Sequence, residues 1–144
     1  MEHKDRLRVG WSKEYADKFE NIRYYPTFFK EYELKCPCCG ENETSDKMYM
    51  MLDKLRGEYG KPLFVDSGYR CPKHNKKIKG APNSAHMTGE AADIRVTGAI
   101  RRRKLVDIAV KLGFNGIGVY DKHIHVDIGE REHGKKVMWS GKSK

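Results

Sequence analysis

The chain has 144 residues, a length that suits one compact domain with a hydrophobic core. Its 29 Lys and Arg residues outnumber its 20 Asp and Glu residues, and the net charge of +9 favours an anionic partner such as nucleic acid, a membrane surface or an acidic cell-wall polymer. Because no apolar run is long enough to cross a membrane and residues 1–10 lack the apolar stretch of a secretory signal, we expect a soluble protein made in the cytoplasm without a signal peptide.

The first half of the chain contains two segments with apolar residues at helical spacing and then a short apolar segment. The spacing predicts helices over residues 12–23 and 46–59, the second between Ser45 as the N-terminal cap and Gly60 as the C-terminal stop. Residues 62–67 (PLFVDS) are mainly apolar and bounded by Pro and Gly, which is typical of a short strand.

The second half contains two strand patterns separated by a helical one. Residues 91–96 (AADIRV) alternate between apolar and polar side chains, and residues 116–129 are also predicted as a strand. A helix is predicted over residues 99–112, with an apolar stripe formed by Ile100, Leu105, Ile108, Ala109 and Leu112. Because helices and strands interleave without a regular βαβ rhythm, we predict an α+β fold with a small, mainly antiparallel sheet flanked by helices.

The strand predicted over residues 116–129 carries titratable side chains at alternate positions. Side chains on an extended strand alternate between its two faces. One face would carry Asp121, His123, His125 and Asp127, and the opposite face would carry Tyr120, Ile124, Val126 and Ile128. Four titratable groups on one face favour a functional site, although polar alternation is also a common pattern on solvated strands.

A second polar pair lies in SAHMTGEAAD, residues 84–93, where small residues separate His86 from Asp93. A turn leading into a strand would explain this stretch without any function. A catalytic zinc site instead uses three His or carboxylate ligands and leaves the fourth position to water. His86, Asp93 and one strand histidine would supply such a set, and a nearby base and an arginine would complete the chemistry.

Three stretches occur in the order SGYRCPKHN (67–75), NSAHMTGEAADI (83–94) and GIGVYDKHIHVDIG (116–129). They resemble the zinc D-Ala-D-Ala carboxypeptidase and L-alanyl-D-glutamate endopeptidase family, whose pattern SxHxxGxAxD followed by HxD is matched in full. The resemblance covers roughly residues 25–139, so basic extensions would complete a single zinc peptidase domain over residues 1–144. It implies a Hedgehog/DD-peptidase-like fold and hydrolysis of a peptide bond in peptidoglycan stem peptides.

The resemblance also implies roles for individual residues. The residues that match the three ligands of a catalytic zinc ion are His86, Asp93 and His125. Arg70 matches an arginine that binds a substrate carbonyl and stabilises the transition state, and Ser84 matches a serine expected to contact the substrate or a ligand residue. Asp127, on the same predicted strand face as His125, could orient a ligand histidine through a hydrogen bond.

One position departs from the family pattern. The catalytic acid or base of the family stands three residues before the last zinc histidine, where this chain has Lys122. A lysine cannot take a proton from water unless its pKa is strongly lowered. We therefore expect Asp121 to be the base, with His123 as the transition-state stabiliser or the alternative base.

The four cysteines are spaced for metal binding rather than for a disulfide framework. CPCCG (36–40) contains the C-P-x-C-G form of a zinc knuckle, and CPKH (71–74) offers a cysteine and a histidine at matching spacing. The structural zinc site that this spacing predicts has the ligands Cys36, Cys39, Cys71 and His74. Two alternatives stay open: free thiols in a reducing cytoplasm, or a disulfide to Cys71 if the protein acts outside the cell.

The resemblance implies a zinc-dependent peptidoglycan peptidase, either a carboxypeptidase or an endopeptidase, which we expect to be a monomer. Its positive charge favours residence on the anionic cell wall. The expected setting is bacteriophage lysis by an endolysin, or cell-wall degradation by a virion-associated hydrolase. A competing hypothesis, favoured by Lys122, is a non-catalytic zinc-containing binding or virion structural protein with the same fold. A third hypothesis is a nucleic-acid binder, but RRRK (101–104) falls on a predicted helix and no base-reading module accompanies it.

Overall fold

The computed structural model describes residues 24–143, and the helix predicted over residues 12–23 lies outside them. The α-helices of the described chain are α1 (Glu31–Leu34), α2 (Asp46–Tyr59), α3 (Pro72–Lys77) and α4 (Ala99–Leu112). The strands are β1 (Val65–Ser67), β2 (Ala91–Arg95), β3 (Gly116–Val119), β4 (His123–Asp127) and β5 (Val137–Ser140). Two short 3-10 helices cover Ala85–Thr88 and Glu132–Gly134. Within the described part of the chain, no helix combines the length and the apolar character needed to cross a bilayer.

The five strands form one sheet in the order β1-β2-β4-β3-β5. The β1–β2, β2–β4 and β3–β4 pairs are antiparallel, and only β5 runs parallel to its neighbour β3. The α+β prediction with a mainly antiparallel sheet is therefore confirmed. In the central β2–β4 pair, Asp93 lies opposite His125 and Ile94 lies opposite Ile124.

The hydrophobic core lies between one face of this sheet and the two long helices, α2 and α4, which also contact each other. The alternation of β2 and β4 supplies the sheet side of the core. The buried apolar residues that illustrate this packing are Leu52, Leu55, Ala92, Ile94, Leu105, Ala109, Ile124 and Val126. Because side chains alternate along a strand, Asp93 and His125 project from the other face of the same two strands.

Both long helices have the predicted bounds. Ser45 accepts a hydrogen bond from the backbone N–H of Met48 at the start of α2, and Gly60 ends that helix in the left-handed conformation. The predicted stripe of α4 is wrong at Ile100, which is 87% exposed. The first buried residue of α4 is Leu105, because the first turn of this helix lies outside the core.

Two strand predictions need correction. Residues 116–129 form a hairpin of β3 and β4, so the chain reverses at residues 120–122. Asp121 consequently lies in the turn and not on the strand face of His123 and His125. Tyr120, predicted to lie on the opposite face from His123, instead stacks on the ring of His123 with 4.3 Å between the ring centroids. The strand predicted over residues 62–67 is shorter, since only β1 pairs with the sheet.

Candidate metal centre and active site

Two neighbouring antiparallel strands and one 3-10 helix bring His86, Asp93 and His125 together. Ser84 caps the 3-10 helix, and its hydroxyl accepts a hydrogen bond of 3.2 Å from the backbone N–H of His86. Gly89 ends this helix at φ +72°, and β2 begins two residues later. The helix cap and the β2–β4 register therefore place all three side chains on one side of the sheet.

The two histidine rings converge on one carboxylate oxygen of Asp93. Asp93 Oδ1 lies 3.0 Å from His125 Nδ1 and 3.3 Å from His86 Nε2. One ligand atom from each residue lies within 4.8 Å of the other two, a spacing that could hold a metal ion. His86 is 2% exposed, whereas the Asp93 and His125 side chains keep 15% and 13% of their surface in solvent. The cluster is therefore buried on its His86 side and open to solvent at the other two residues.

The partners on the far side of each ring show which nitrogens face Asp93. His86 Nδ1 lies 2.7 Å from the carbonyl oxygen of Gly68, and His125 Nε2 lies 2.7 Å from Oδ2 of Asp127. Both partners accept hydrogen bonds, so these nitrogens carry the protons when the rings are neutral. Two nitrogen lone pairs then point at a carboxylate oxygen with no proton between them. This donor set fits a zinc ion, whose histidine ligands use the same orientation.

The electrostatics of the cluster agree with this fit. Burial works to raise the pKa of Asp93, but hydrogen bonds with His125 and His86 outweigh it and hold that pKa well below its usual range. Burial lowers the pKa of Arg70, and the negative charge of the neighbouring Asp93 carboxylate partly offsets this effect. Asp93 is therefore anionic at neutral pH, as a ligand of a divalent cation must be.

Arg70 lies beside the cluster and is held by three partners. Its guanidinium donates to Ser67 Oγ and Asn75 Oδ1 at 3.1 Å each, and it reaches Asp93 Oδ2 at 3.4 Å. Asn75 is 3% exposed and its side-chain amide donates to the carbonyl oxygen of Ala81. Arg70 therefore lies beside the three candidate ligands, and Asn75, which was not among the predicted site residues, supports it.

Asp127 is a buried carboxylate that connects His125 to Arg131. It is 1% exposed, and besides His125 it accepts two hydrogen bonds from the guanidinium of Arg131, at 2.7 and 3.1 Å. Burial works to raise the pKa of Asp127, but its bonds with His125 and Arg131 keep that pKa below its usual range. Sequence analysis missed Arg131, although an Asp and an Arg four residues apart are a recognisable pair.

An aromatic wall stands beside His125. The wall consists of Trp139 on β5 and Tyr120, joined by a hydrogen bond of 2.9 Å from the indole N–H to the Tyr120 hydroxyl. The Trp139 ring lies 5.2 Å from the His125 ring, centroid to centroid. Gly118 pairs with both His125 and Trp139, and a Cβ there would approach the indole nitrogen to 2.7 Å. Trp139 lies on a separate strand outside the motif, so no local pattern predicted it.

A family model described as Peptidase M15 matches residues 27–127, a span that includes all three candidate ligands and Arg70. The chain belongs to the Peptidase M15 family. This family consists of zinc D-Ala-D-Ala carboxypeptidase-like peptidases, so the family named from the motifs is confirmed. No curated protein matches the chain.

The base of this M15 domain was expected at Asp121 or His123. Asp121 is exposed, and its carboxylate accepts a hydrogen bond of 2.8 Å from the backbone N–H of Ser143. Hydrogen bonds with Ser143 lower the pKa of Asp121 to about 2. His123 begins β4, and its Nδ1 lies 3.1 Å from the Ser143 hydroxyl. His123 thus shares a strand face with His125, whereas Asp121 does not.

The cysteines form a second group in this M15 domain. The thiols of Cys36, Cys38 and Cys71 lie within 4.8 Å of one another and could also hold a metal ion. The predicted set differs, since it contained His74 and not Cys38. His74 is absent from this group, and its backbone N–H donates to the Cys71 sulfur at 3.4 Å. The two sets differ because a turn at residues 36–40 brings Cys38 toward Cys71.

Proposed function

We propose that the protein is a zinc metallopeptidase that hydrolyses a peptide bond in peptidoglycan stem peptides. The observation that carries this proposal is the convergence of His86 Nε2, Asp93 Oδ1 and His125 Nδ1. Membership of the Peptidase M15 family supports the substrate class and the peptidase chemistry. The net charge of +9 favours binding to an anionic cell wall.

His86, Asp93 and His125 would hold the zinc ion, with Gly68 and Asp127 fixing the two rings from behind. A zinc ion bound there supplies Lewis-acid chemistry, since it polarises a carbonyl and brings the pKa of water toward neutrality. Arg70 would contact the oxygen on which negative charge develops during hydrolysis, or a substrate carboxylate. Its bonds to Ser67 and Asn75 hold the guanidinium in place before the substrate arrives.

His123 is the residue that we favour as the base. It lies on the face of β4 that carries His125, and stacking on Tyr120 fixes its ring. Asp121 was the first expectation from the sequence, but a carboxylate with a pKa of about 2 is a weak base and lies in the turn. Ser84 and Asp127 would act by positioning His86 and His125 rather than by touching the substrate.

We further propose that the protein works as a bacteriophage endolysin or a virion-associated wall hydrolase, as a monomer. The peptide bond could be D-Ala-D-Ala at a chain end or L-Ala-D-Glu within the stem peptide. An exposed Lys122 at the family position of the base favours a second candidate, a non-catalytic wall-binding or virion structural protein with the same fold.

The test is digestion of purified peptidoglycan by zinc-loaded protein, followed by mass spectrometry of the released muropeptides. We expect new peptide ends that identify the cleaved bond, and no released muropeptides from protein stripped of metal by a chelator or from His86→Ala. If zinc-loaded, folded protein releases no muropeptides, the peptidase proposal is overturned and the non-catalytic candidate is favoured.

The same assay distinguishes the two candidate bases. We expect His123→Ala to lower kcat/KM by about 10²–10⁴-fold, the usual contribution of a general base, and Asp121→Ala to change it by less than about tenfold. The reverse ranking would assign the base to Asp121. Equal activity in both variants and the wild type would refute both assignments.

A further inference from the structure

The cysteine group lies at the junction of two loops. Cys36 is buried, Cys71 is half-buried, and Cys38 and Cys39 are exposed. The sulfur of Cys36 lies 3.7 Å from that of Cys71, and the sulfur of Cys38 lies 3.9 Å from it. The proposed peptidase chemistry uses none of these thiols.

These sulfur separations match those of a tetrahedral zinc–thiolate site. With a Zn–S bond of about 2.3 Å, two sulfurs at adjacent corners of a tetrahedron are about 3.8 Å apart. The distances from the Cys71 sulfur to the sulfurs of Cys36 and Cys38, 3.7 and 3.9 Å, lie just below and just above that value. A disulfide requires sulfurs about 2.05 Å apart, and the 3.7 Å between Cys36 and Cys71 is well beyond that length.

The backbone around the thiols supplies hydrogen-bond donors for thiolate charge. The Cys36 sulfur accepts from the backbone N–H of Cys71 at 3.5 Å, and the N–H groups of Cys38 and Cys39 also point to it. The Cys71 sulfur accepts from the N–H of His74. Donors of this kind stabilise anionic ligands, as side-chain partners do at other metal sites.

A tight turn carries three of the four cysteines. The N–H of Gly40 donates to the carbonyl oxygen of Cys36 at 2.8 Å, and the N–H of Cys36 donates to the carbonyl oxygen of Glu41 at 2.7 Å. Gly40 has φ +76°, which lets the chain reverse after the last cysteine. Cys39 directly follows Cys38 in this turn, so a fourth thiol stands next to the three that lie within 4.8 Å of one another.

We propose that Cys36, Cys38, Cys39 and Cys71 bind a structural zinc ion. Four thiolates select zinc over the hard cations that prefer oxygen ligands. The ion would connect the turn at residues 36–40 to the N-terminal cap of α3, where Cys71 directly follows Arg70. The adjoining backbone bond from Tyr69 N–H to Leu34 O, 2.8 Å, already joins the same two segments. The zinc would thereby hold the loop that presents Arg70 to the candidate active site.

The experiment measures metal content and cobalt spectra, with no activity readout. His86→Ala protein removes the histidine centre, so a failure of the proposed peptidase leaves this test intact. We expect one zinc ion per chain in His86→Ala and two in the wild type. Cobalt-loaded His86→Ala should show a thiolate-to-cobalt charge-transfer band, because only sulfur ligands give this transition.

Single variants made in the His86→Ala background identify the ligands. We expect Cys38→Ser and Cys39→Ser to weaken zinc binding at this site, whereas His74→Ala should retain the metal and the cobalt band. Retention after Cys39→Ser combined with loss after His74→Ala would overturn the four-cysteine set. Cys71→Ser can fail to fold, but the metal content of folded His86→Ala protein decides the proposal without it.

Three results would contradict the site itself. The first is folded His86→Ala protein that contains no zinc after purification without chelator and does not take it up. The second is a Cys36–Cys71 disulfide, detected by mass spectrometry of the alkylated, unreduced protein. The third is iron in place of zinc in the purified chain.

Discussion

The two groups of metal-ligating residues are built on different supports. His86, Asp93 and His125 stand on a 3-10 helix and on the two central strands of the sheet, and two of them are oriented by acceptors behind them, Gly68 and Asp127. The cysteines stand on a turn and at a helix cap, and backbone N–H groups donate to their sulfurs. The histidine centre is thus arranged by the sheet, whereas the cysteine group joins loops that have little sheet pairing of their own.

This difference suggests that a metal ion has a different task at each place. At the histidine centre the β2–β4 ladder and the capped 3-10 helix already hold the candidate ligands, so an ion bound there would be available for chemistry. At the cysteines the ion would itself add the long-range link between the two loops, which is how structural zinc contributes to folding.

Removal of all metal should have the largest effect. We expect peptidase activity to vanish, and the amides of Cys36 and Gly40 to exchange with solvent about tenfold faster, because their turn loses its link to Cys71. The amides of β2 and β4 should keep their protection. Hydrogen exchange with mass spectrometry measures both regions, and zinc restores them. An equal rise of amide exchange in the strands and in the turn would contradict the proposed difference between the two sites.

Replacement of Arg70 by Lys should have the next largest effect. Lysine keeps the charge but cannot contact Ser67, Asn75 and Asp93 together as the guanidinium does. We expect kcat/KM to fall by about 10²–10³-fold, the cost of losing one group that stabilises developing charge, with zinc content unchanged. Arg103→Lys is the matched control, because Arg103 forms an exposed pair with Asp107, and it should leave kcat/KM and zinc content unchanged.

A glycine in each region offers a direct comparison of stability. Gly89 and Gly40 both have positive φ, but a Cβ at Gly89 would overlap the carbonyl oxygen of Glu43, whereas Gly40 faces open space. We expect Gly89→Ala to lower the free energy of unfolding by about 2–3 kcal/mol, from backbone strain and overpacking. Gly40→Ala should cost about 1 kcal/mol, from strain alone. Chemical denaturation measures both, and equal costs would show that the 84–93 segment is not tightly packed.

Asp127→Asn should affect the histidine centre alone. The amide keeps the shape of the carboxylate but loses the charge that faces His125 and Arg131. We expect zinc affinity at the histidine centre to fall by about 10–100-fold, as for other changes behind a metal ligand. Competition with a chromophoric chelator measures the affinity, and the cysteine site should be unaffected. Unchanged affinity at both sites would mean that Asp127 serves stability and not the ligand.

Sequence reasoning worked best where the signal is local. The bounds of α2 follow from Ser45 and Gly60, and the alternation of Asp93 with Ile94 placed the polar and apolar faces of β2 correctly. The ligands His86, Asp93 and His125 were selected by motif, and they do converge. Their chemical roles, like the extent of a single domain over residues 1–144, stay predictions.

Sequence reasoning failed where distant segments decide. A single extended strand through Tyr120 and Asp121 satisfied local alternation, but pairing between β3 and β4 required a turn there. The match between Cys71 and His74 satisfied zinc-ligand spacing, but the fold of residues 36–40 brought Cys38 into the group. Trp139 gave no local signal, since its partners Tyr120 and His125 lie on other segments of the sheet. Asn75 contacts Arg70 and Ala81 close by in the chain, but no sequence pattern marks an amide as the support of an arginine.

The sequence by itself determined the two long helices, the apolar and polar faces of the central strands, and the motif residues of a peptidase. It could do so because hydrogen bonding within a helix, strand alternation and ligand chemistry depend on residues close together in the chain. Only the tertiary structure decided which nitrogens face Asp93 and which thiols meet Cys71. Those contacts join segments whose separation is set by packing of the whole core, and no local pattern contains that distance.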